Sequence, residues 1–356
     1  MKKIITVVGA RPQFVKAATL SREFQKVGVE ERIIHTGQHF DANMSDVFFT
    51  EMDIPKPAYR LDINGLSHGA MTGRMLEGIE EILMKEKPDA LMVYGDTNST
   101  LAGALAAVKL HIPVIHVEAG LRSFNMAMPE EVNRILTDRI SNYLFCPTDT
   151  AVKNLHAEGY ASMPIHIFKN GDVMQDAARY YAAKASQLSD VLTKYQLSKF
   201  VLATIHRQEN TDNLDNLANI INGLNAINKL TPVVVPIHPR TRGILAKLRI
   251  APEFKLIDPV GYFDMIMLLQ HCDMVITDSG GVQKEAFFFA KHCITLREQT
   301  EWVELVENGF NTLVGSDSQK LQAAFDFMSS KTSDFSINLY GNGLAAQTAA
   351  KMINDF

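Results

Sequence analysis

The chain has 356 residues, of which 46% are hydrophobic and 21% charged, and its net charge is −5. That length suffices for two domains of ordinary size, and the acidic balance argues against nucleic acid as the main partner while leaving room for a basic pocket that takes a small anion. Cys146, Cys272 and Cys293 lie in or beside apolar runs with no CxxC spacing, so neither a disulfide framework nor a zinc site is expected. The apolar run near the start ends at Gly9-Ala10-Arg11-Pro12, too soon for a signal peptide. No stretch approaches the roughly 20 apolar residues of a membrane span. A cytoplasmic protein without membrane contact is expected.

Short apolar runs alternate with longer amphipathic stretches from end to end, the pattern of α/β folds with parallel sheets covered by helices. One series of strands is expected near 3–8, 31–35, 90–94, 113–117 and 143–146. A second is expected near 200–205, 232–236, 254–257, 273–277, 293–296 and 311–314. Between them Phe168 to Val173, FKNGDV, reads as a crossing point, and 175–197 as a helical lead-in to the second domain. The expected division is 1–168 and 169–342, with a last helix at about 343–356 packing back onto the first domain.

Polar residues gather at the ends of these strands. The first series ends in GARP (9–12), TGQH (36–39), YGDT (94–97) and HVEAG (116–120). The second ends in TIHRQEN (204–210), PIHPRT (236–241), DPVGY (258–262), TDSGG (277–281) and LREQTEW (296–302). Open α/β sheets bind ligands at the carboxyl ends of their strands, so two such sheets suggest a cleft between facing domains.

The most informative stretch is Met274 to Lys291. A short strand runs into Asp278-Ser279-Gly280-Gly281 and then into a helix. Two glycines at a helix start let a ligand approach free N–H groups that favour negative charge, so a phosphate is the natural guest. Ser279 can cap the helix and bind a phosphate oxygen, while Glu285 can reach past it to ribose hydroxyls. An N-capped helix with no ligand is the open alternative.

Arg11 and Lys16 follow the first strand and can meet a diphosphate, or stand as solvated cations. Asp96 is either a functional carboxylate or a cap for the helix at Thr97. Glu118 ends the buried run IPVIHVE, where a charge needs a partner or a task. Glu130 and Glu131 open a helix after Pro129, with Arg134 placed to pair with Glu130. His206 and His238 end strands of the second series and can bind phosphate or move a proton, unless they are core histidines. Met265, Met267 and Leu268 read as core. Neither GxGxxG after the first strand nor GxxxxGK[ST] occurs, so no dinucleotide cofactor or P-loop is expected.

Taken in order, these motifs resemble the non-hydrolysing UDP-N-acetylglucosamine 2-epimerase family from Gly9-Ala10-Arg11-Pro12 to Val314-Gly315. The resemblance rests on Thr36-Gly37-Gln38-His39, Gly95-Asp96-Thr97, His116 to Arg122, Pro129 to Arg134 and Thr277 to Gly281. It implies a GT-B architecture of two Rossmann-like domains around a ligand cleft, and a homodimer. It further implies UDP held by Arg11, Lys16, His206, Ser279, Gly280, Gly281 and Glu285, and Asp96, Glu118 and Glu130 as acid–base carboxylates. Arg134 and His238 join the substrate-binding set, and Gln38 with His39 matches the segment where some members bind a second UDP-sugar as activator. Ala10 and Gln13 stand where the family commonly has Thr and Glu, Met128 where it has Trp, and Trp302 where it has Arg. This variant pattern is similar to the subgroup that epimerises UDP-2,3-diacetamido-2,3-dideoxyglucuronate for O-antigen synthesis. The expected activity is therefore C2 epimerisation of that sugar or of UDP-N-acetylglucosamine, with no cofactor. The rivals are a GT-B glycosyltransferase and the hydrolysing branch of the family.

Overall fold

The structure is a computed structural model that describes residues 1–38, 52, 54–237, 239–245 and 251–356. Runs such as KIITVV, ALMVY and VIHV are rich in β-branched residues and apolar on both faces, as a parallel strand covered from both sides requires. They form part of a seven-stranded sheet of β1 (Lys3–Val8), β2 (Glu30–His35), β3 (Tyr59–Arg60), β4 (Ala90–Tyr94), β5 (Val114–Val117), β6 (Tyr143–Cys146) and β7 (His166–Lys169). Its spatial order is β3-β2-β1-β4-β5-β6-β7 with every pairing parallel. A second parallel sheet holds β8 (Val201–Thr204), β9 (Val233–Pro236), β10 (Lys255–Ile257), β11 (Met274–Thr277), β12 (Cys293–Thr295) and β13 (Asn311–Leu313), in the order β10-β9-β8-β11-β12-β13.

The two orders are one pattern: the first strand sits in the interior, the next two run off to one side and the rest to the other. This is the Rossmann order. It opens a crevice at the strand carboxyl ends where the winding reverses, between β1 and β4 in one sheet and between β8 and β11 in the other. The core of the first sheet gathers Ile5, Val7, Leu91, Val93 and Val114 under the helices His68–Glu86 and Asn98–Lys109. The second gathers Val201, Ala203, Ile276 and Ile294 against Leu217, Ile220 and Leu224 of the helix Leu214–Asn228. The helix Asn98–Lys109 lies close on its sheet because Gly103 has no side chain: a Cβ there would meet Val93 and Val7 at 3.2 and 3.3 Å.

Of the thirteen strands among the described residues, eleven fall within a residue or two of their expected places. The other two, β3 and β7, are edge strands whose residues are half-buried or exposed, so neither leaves an apolar run in the sequence. The expected crossing point at 168–173 overlaps the end of β7.

The chain divides into two compact units, Met1–Ala177 with Asn338–Phe356, and Ala178–Ile337. The helix Ala345–Asp355 packs on the helix Arg11–Val27 and is tied by the N–H of Ala346, which donates to Asp176 at 2.7 Å.

Candidate functional site

In the first unit β1 gives way to Gly9 and Ala10 and then to the helix Arg11–Val27, which Arg11 opens. Ala10 has no capping side chain, and Gln13 takes over that task. Its Oε1 accepts from the N–H of Gly9 at 2.8 Å and of Ala10 at 3.0 Å. Its Nε2 donates to the carbonyl of Tyr94 at 2.8 Å and to Thr97 and Thr100 at 3.0 Å each. The amide thus stitches the end of β1 to the end of β4, which a carboxylate with no donor cannot do. Gly9 is required where it stands, since a Cβ would fall 2.1 Å from Thr36 Oγ1.

One turn further on, Lys16 is buried with its ammonium on Glu118. Glu118 follows β5 with φ of +71°, the left-handed region, where a non-glycine residue stores on the order of 1–3 kcal/mol of strain. The N–H groups of Glu118 and Ala119 converge on the Phe145 carbonyl at 3.1 and 3.0 Å. Facing them is Gly95, φ +60°, where a Cβ would touch Glu118 Oε1 and Lys16 Nζ at 3.4 Å.

Asp96 is not the cap of the helix Asn98–Lys109. Thr97 is, its hydroxyl accepting from the Thr100 N–H. The Asp96 side chain is free for Arg134, which binds it through Nε at 3.1 Å and through its second terminal nitrogen. The other arm of Arg134 reaches Glu131 at 2.9 Å. The two neighbouring glutamates at the start of the helix Pro129–Ile140 therefore differ in kind. Glu131 is fully buried and accepts from the N–H of Ser123 and Phe124 and from the Ser123 hydroxyl, while Glu130 is half-buried. Asp96 and Glu118 each face a cation. Gln38 accepts from the N–H and hydroxyl of Ser99 at 3.0 and 2.7 Å.

In the second unit the carboxyl ends of β8 and β11 meet through Asp278. This fully buried carboxylate accepts from the N–H groups of His206 and Arg207, both at 2.9 Å, and its other oxygen lies 3.0 Å from His206 Nδ1. Burial alone would raise its pKa, but the bonds from His206 and the two backbone donors prevail and hold it below 3.8. The His206 ring is 54% exposed, so it is no core histidine. Ser279 caps the helix Gly280–Phe288 by accepting from Val282, and among the described residues no acceptor takes the N–H of Gly280 or Gly281. A Cβ on Gly280 would fall 2.3 Å from Glu301 Oε1, whereas Gly281 has open space. Glu285 is buried in the same helix.

The expected residues thus fall into two groups, Lys16, Asp96, Glu118, Glu130 and Arg134 in one unit and His206, Ser279, Gly280, Gly281 and Glu285 in the other. His39 and His238 lie outside the described residues. Reading the sequence missed Gln13 as a tether, Asp278 as the anchor of His206, and His116 with Asp138, all of which were legible only as turn or core residues. Among the described residues no group of His, Cys, Asp and Glu is arranged to hold a metal ion, and no helix is long and apolar enough to cross a membrane.

Two Rossmann-like parallel-sheet units in one chain, each with polar groups at its switch point, define a protein of the GT-B class. Within that class the chain belongs to the UDP-N-acetylglucosamine 2-epimerase family, whose sequence profile matches residues 22–354. It is 53% identical, over 99% of both chains, to the UDP-2,3-diacetamido-2,3-dideoxy-D-glucuronate 2-epimerase of Pseudomonas aeruginosa. It also superposes on the Methanocaldococcus jannaschii UDP-GlcNAc 2-epimerase in complex with UDP-GlcNAc and UDP, with a TM-score of 0.93, 42% identity and complete coverage of both chains. The S. aureus MnaA–UDP co-structure gives a TM-score of 0.88 at 32% identity, covering 100% of this chain and 96% of that one.

Proposed function

We propose that the chain inverts C2 of a UDP-linked acetamido sugar by eliminating UDP and adding it back, with Asp96, Glu118 and Glu130 as the acid–base carboxylates. The C2 hydrogen of such a sugar is not next to a carbonyl, so no enolate can stabilise its removal. Elimination supplies the missing acidity. The C1–O bond breaks with its electron pair leaving on the diphosphate, a carboxylate takes the C2 proton, and a glycal forms. UDP then adds back to C1 as a proton reaches the opposite face of C2.

Each unit contributes a different part. Lys16 has donors to spare after its bond to Glu118, and with Arg11 it can neutralise the departing diphosphate. Ser279 and the N–H groups of Gly280 and Gly281, with His206 beside them, form the phosphate cradle, and Glu285 faces the ribose. Arg134 holds Asp96 in place and His238 completes the substrate-binding set. The observation that carries the reading is Glu118, a strained carboxylate whose side chain is 9% exposed, held by a lysine at the end of β5.

We take UDP-2,3-diacetamido-2,3-dideoxy-D-glucuronate as the substrate, on the strength of the Pseudomonas aeruginosa relative and of the variant residues Ala10, Gln13, Met128 and Trp302. UDP-GlcNAc is the second reading, favoured by the likeness to the Methanocaldococcus jannaschii enzyme. A cytoplasmic homodimer serving O-antigen synthesis, with a second UDP-sugar at Gln38 and His39 as activator, belongs to the same proposal and rests on family resemblance. Incubating the protein with each sugar separately and reading products by proton NMR tests it. The expected result is the C2 epimer from the diacetamido-uronate, faster than any from UDP-GlcNAc. Free sugar plus UDP, or no change in either, overturns it.

A further inference from the structure

The turn that carries Asp96 and the turn that carries Glu118 belong to different strands, yet a reaction that uses both carboxylates needs them in fixed register. One buried side chain lies between their supports. His116, in β5 two residues before Glu118, is fully buried. Its Nε2 lies 2.7 Å from the carbonyl oxygen of Gly95, the residue before Asp96, and its Nδ1 lies 2.7 Å from Asp138 Oδ1. Asp138 belongs to the helix that carries Glu130 and Arg134. Its other oxygen accepts from the Gly120 N–H at 3.1 Å and from Arg122 at 2.7 Å, and Arg122 is clamped in turn by both oxygens of Glu158. All three elements that supply the carboxylates therefore meet at one imidazole.

We propose that His116 is a positioning residue for the epimerisation: as an imidazolium it donates from both nitrogens, to the Gly95 carbonyl and to Asp138, and so locks the Asp96 and Glu118 turns to one another and to the helix Pro129–Ile140. The protonation follows from the acceptors. A carbonyl oxygen can only accept, and an ionised carboxylate can only accept. An imidazole that satisfies both must carry two N–H groups. The charges alternate along the row His116, Asp138, Arg122, Glu158, the first three of them buried, so the cation has its counter-ion in direct contact. Glu118, left-handed at φ +71°, depends on this lock, and strain of that kind persists only where surrounding bonds over-determine it.

The inference rests on the epimerase reading, and the test separates the two. Asparagine places its amide nitrogen near the position of Nδ1 and cannot reach Gly95, whereas glutamine places its own near Nε2. In His116→Gln turnover is expected to stay within about tenfold of the wild type. In His116→Asn it is expected to fall about 100-fold, with KM within about threefold and UDP affinity unchanged, since a group felt only in the transition state moves kcat and not ground-state binding. Equal losses in the two variants, or a rise in KM that accounts for the loss, overturns the positioning role. A wild type that epimerises neither sugar removes the reading beneath it instead. Should either variant fail to fold, a neutron structure of the wild type decides: deuterium on both ring nitrogens supports the lock, and deuterium on one alone overturns it.

Discussion

The two sheets share one strand order, and each presents a helix start at its switch point, but the starts are finished in opposite ways. At the start of Arg11–Val27 the N–H groups of Gly9 and Ala10 are already taken by Gln13, a side chain of the helix itself. At the start of Gly280–Phe288 the N–H groups of two glycines have no acceptor among the described residues, and the acid beside them, Asp278, is turned away to hold His206. The first end is filled from within and surrounds itself with paired carboxylates. The second is left open to an anion. On the proposed reading the same topology carries the acid–base carboxylates in one unit and an open helix start for the phosphate in the other.

The sharpest way to break this contrast is to remove the charge of Glu118. Glu118→Gln keeps the shape of the turn and is expected to lower turnover by roughly 10²–10⁴-fold, the usual weight of one acid–base group, while calorimetry still detects UDP binding. Simultaneous loss of UDP binding would show that the two units do not divide the work.

A smaller effect is expected at Asp278. Asp278→Asn replaces an acceptor of four hydrogen bonds by an amide that cannot satisfy them all. The expected cost is about 1–3 kcal/mol in denaturant unfolding. The pH dependence gives a second check. The carboxyl groups of Asp278 and Asp138 both lie below 3.8 in the folded protein: burial opposes this, and bonds from His206 and from His116 and Arg122 outweigh it. As pH falls the unfolded chain takes up these protons first, so the stability they confer is whole above 3.8 and drains away below it. Melts from about pH 5 to about pH 2 should show this acid loss, shallower in Asp278→Asn.

Gly280→Ala tests the open helix start. The new methyl would press on Glu301, and UDP affinity is expected to weaken roughly tenfold, about 1.4 kcal/mol, with the melting temperature reporting whether the fold also suffers. Mildest of all, Thr97→Ala removes the cap of Asn98–Lys109 and one acceptor for Gln13, for an expected loss of about 1 kcal/mol in thermal unfolding.

Much of this contrast was legible in the chain itself. Glu118 and Ser279 stand out because each breaks an apolar run at a strand end, and strand ends are where such sheets work. Lys16 was legible as a cation near the first turn, though its bond to Glu118, 102 residues away, was not. His116 hides inside a strand and Asp138 inside a helix, and their pairing is a product of the fold alone. Gln13 and Asp278 look like ordinary turn neighbours until the carbonyls and N–H groups they serve are in place. The edge strands β3 and β7 failed to register because half-exposed residues leave no hydrophobic period to read.

The central claim is that a bound UDP-sugar loses and regains the hydrogen at C2. Incubating the wild type in D₂O with UDP-2,3-diacetamido-2,3-dideoxy-D-glucuronate, and separately with UDP-GlcNAc, and no acceptor, tests it most directly. Deuterium at C2 of the recovered UDP-sugar, absent with Glu118→Gln, is the predicted result. Epimer formed with C2 still carrying its original hydrogen, or a sugar that stays unlabelled throughout, would contradict it.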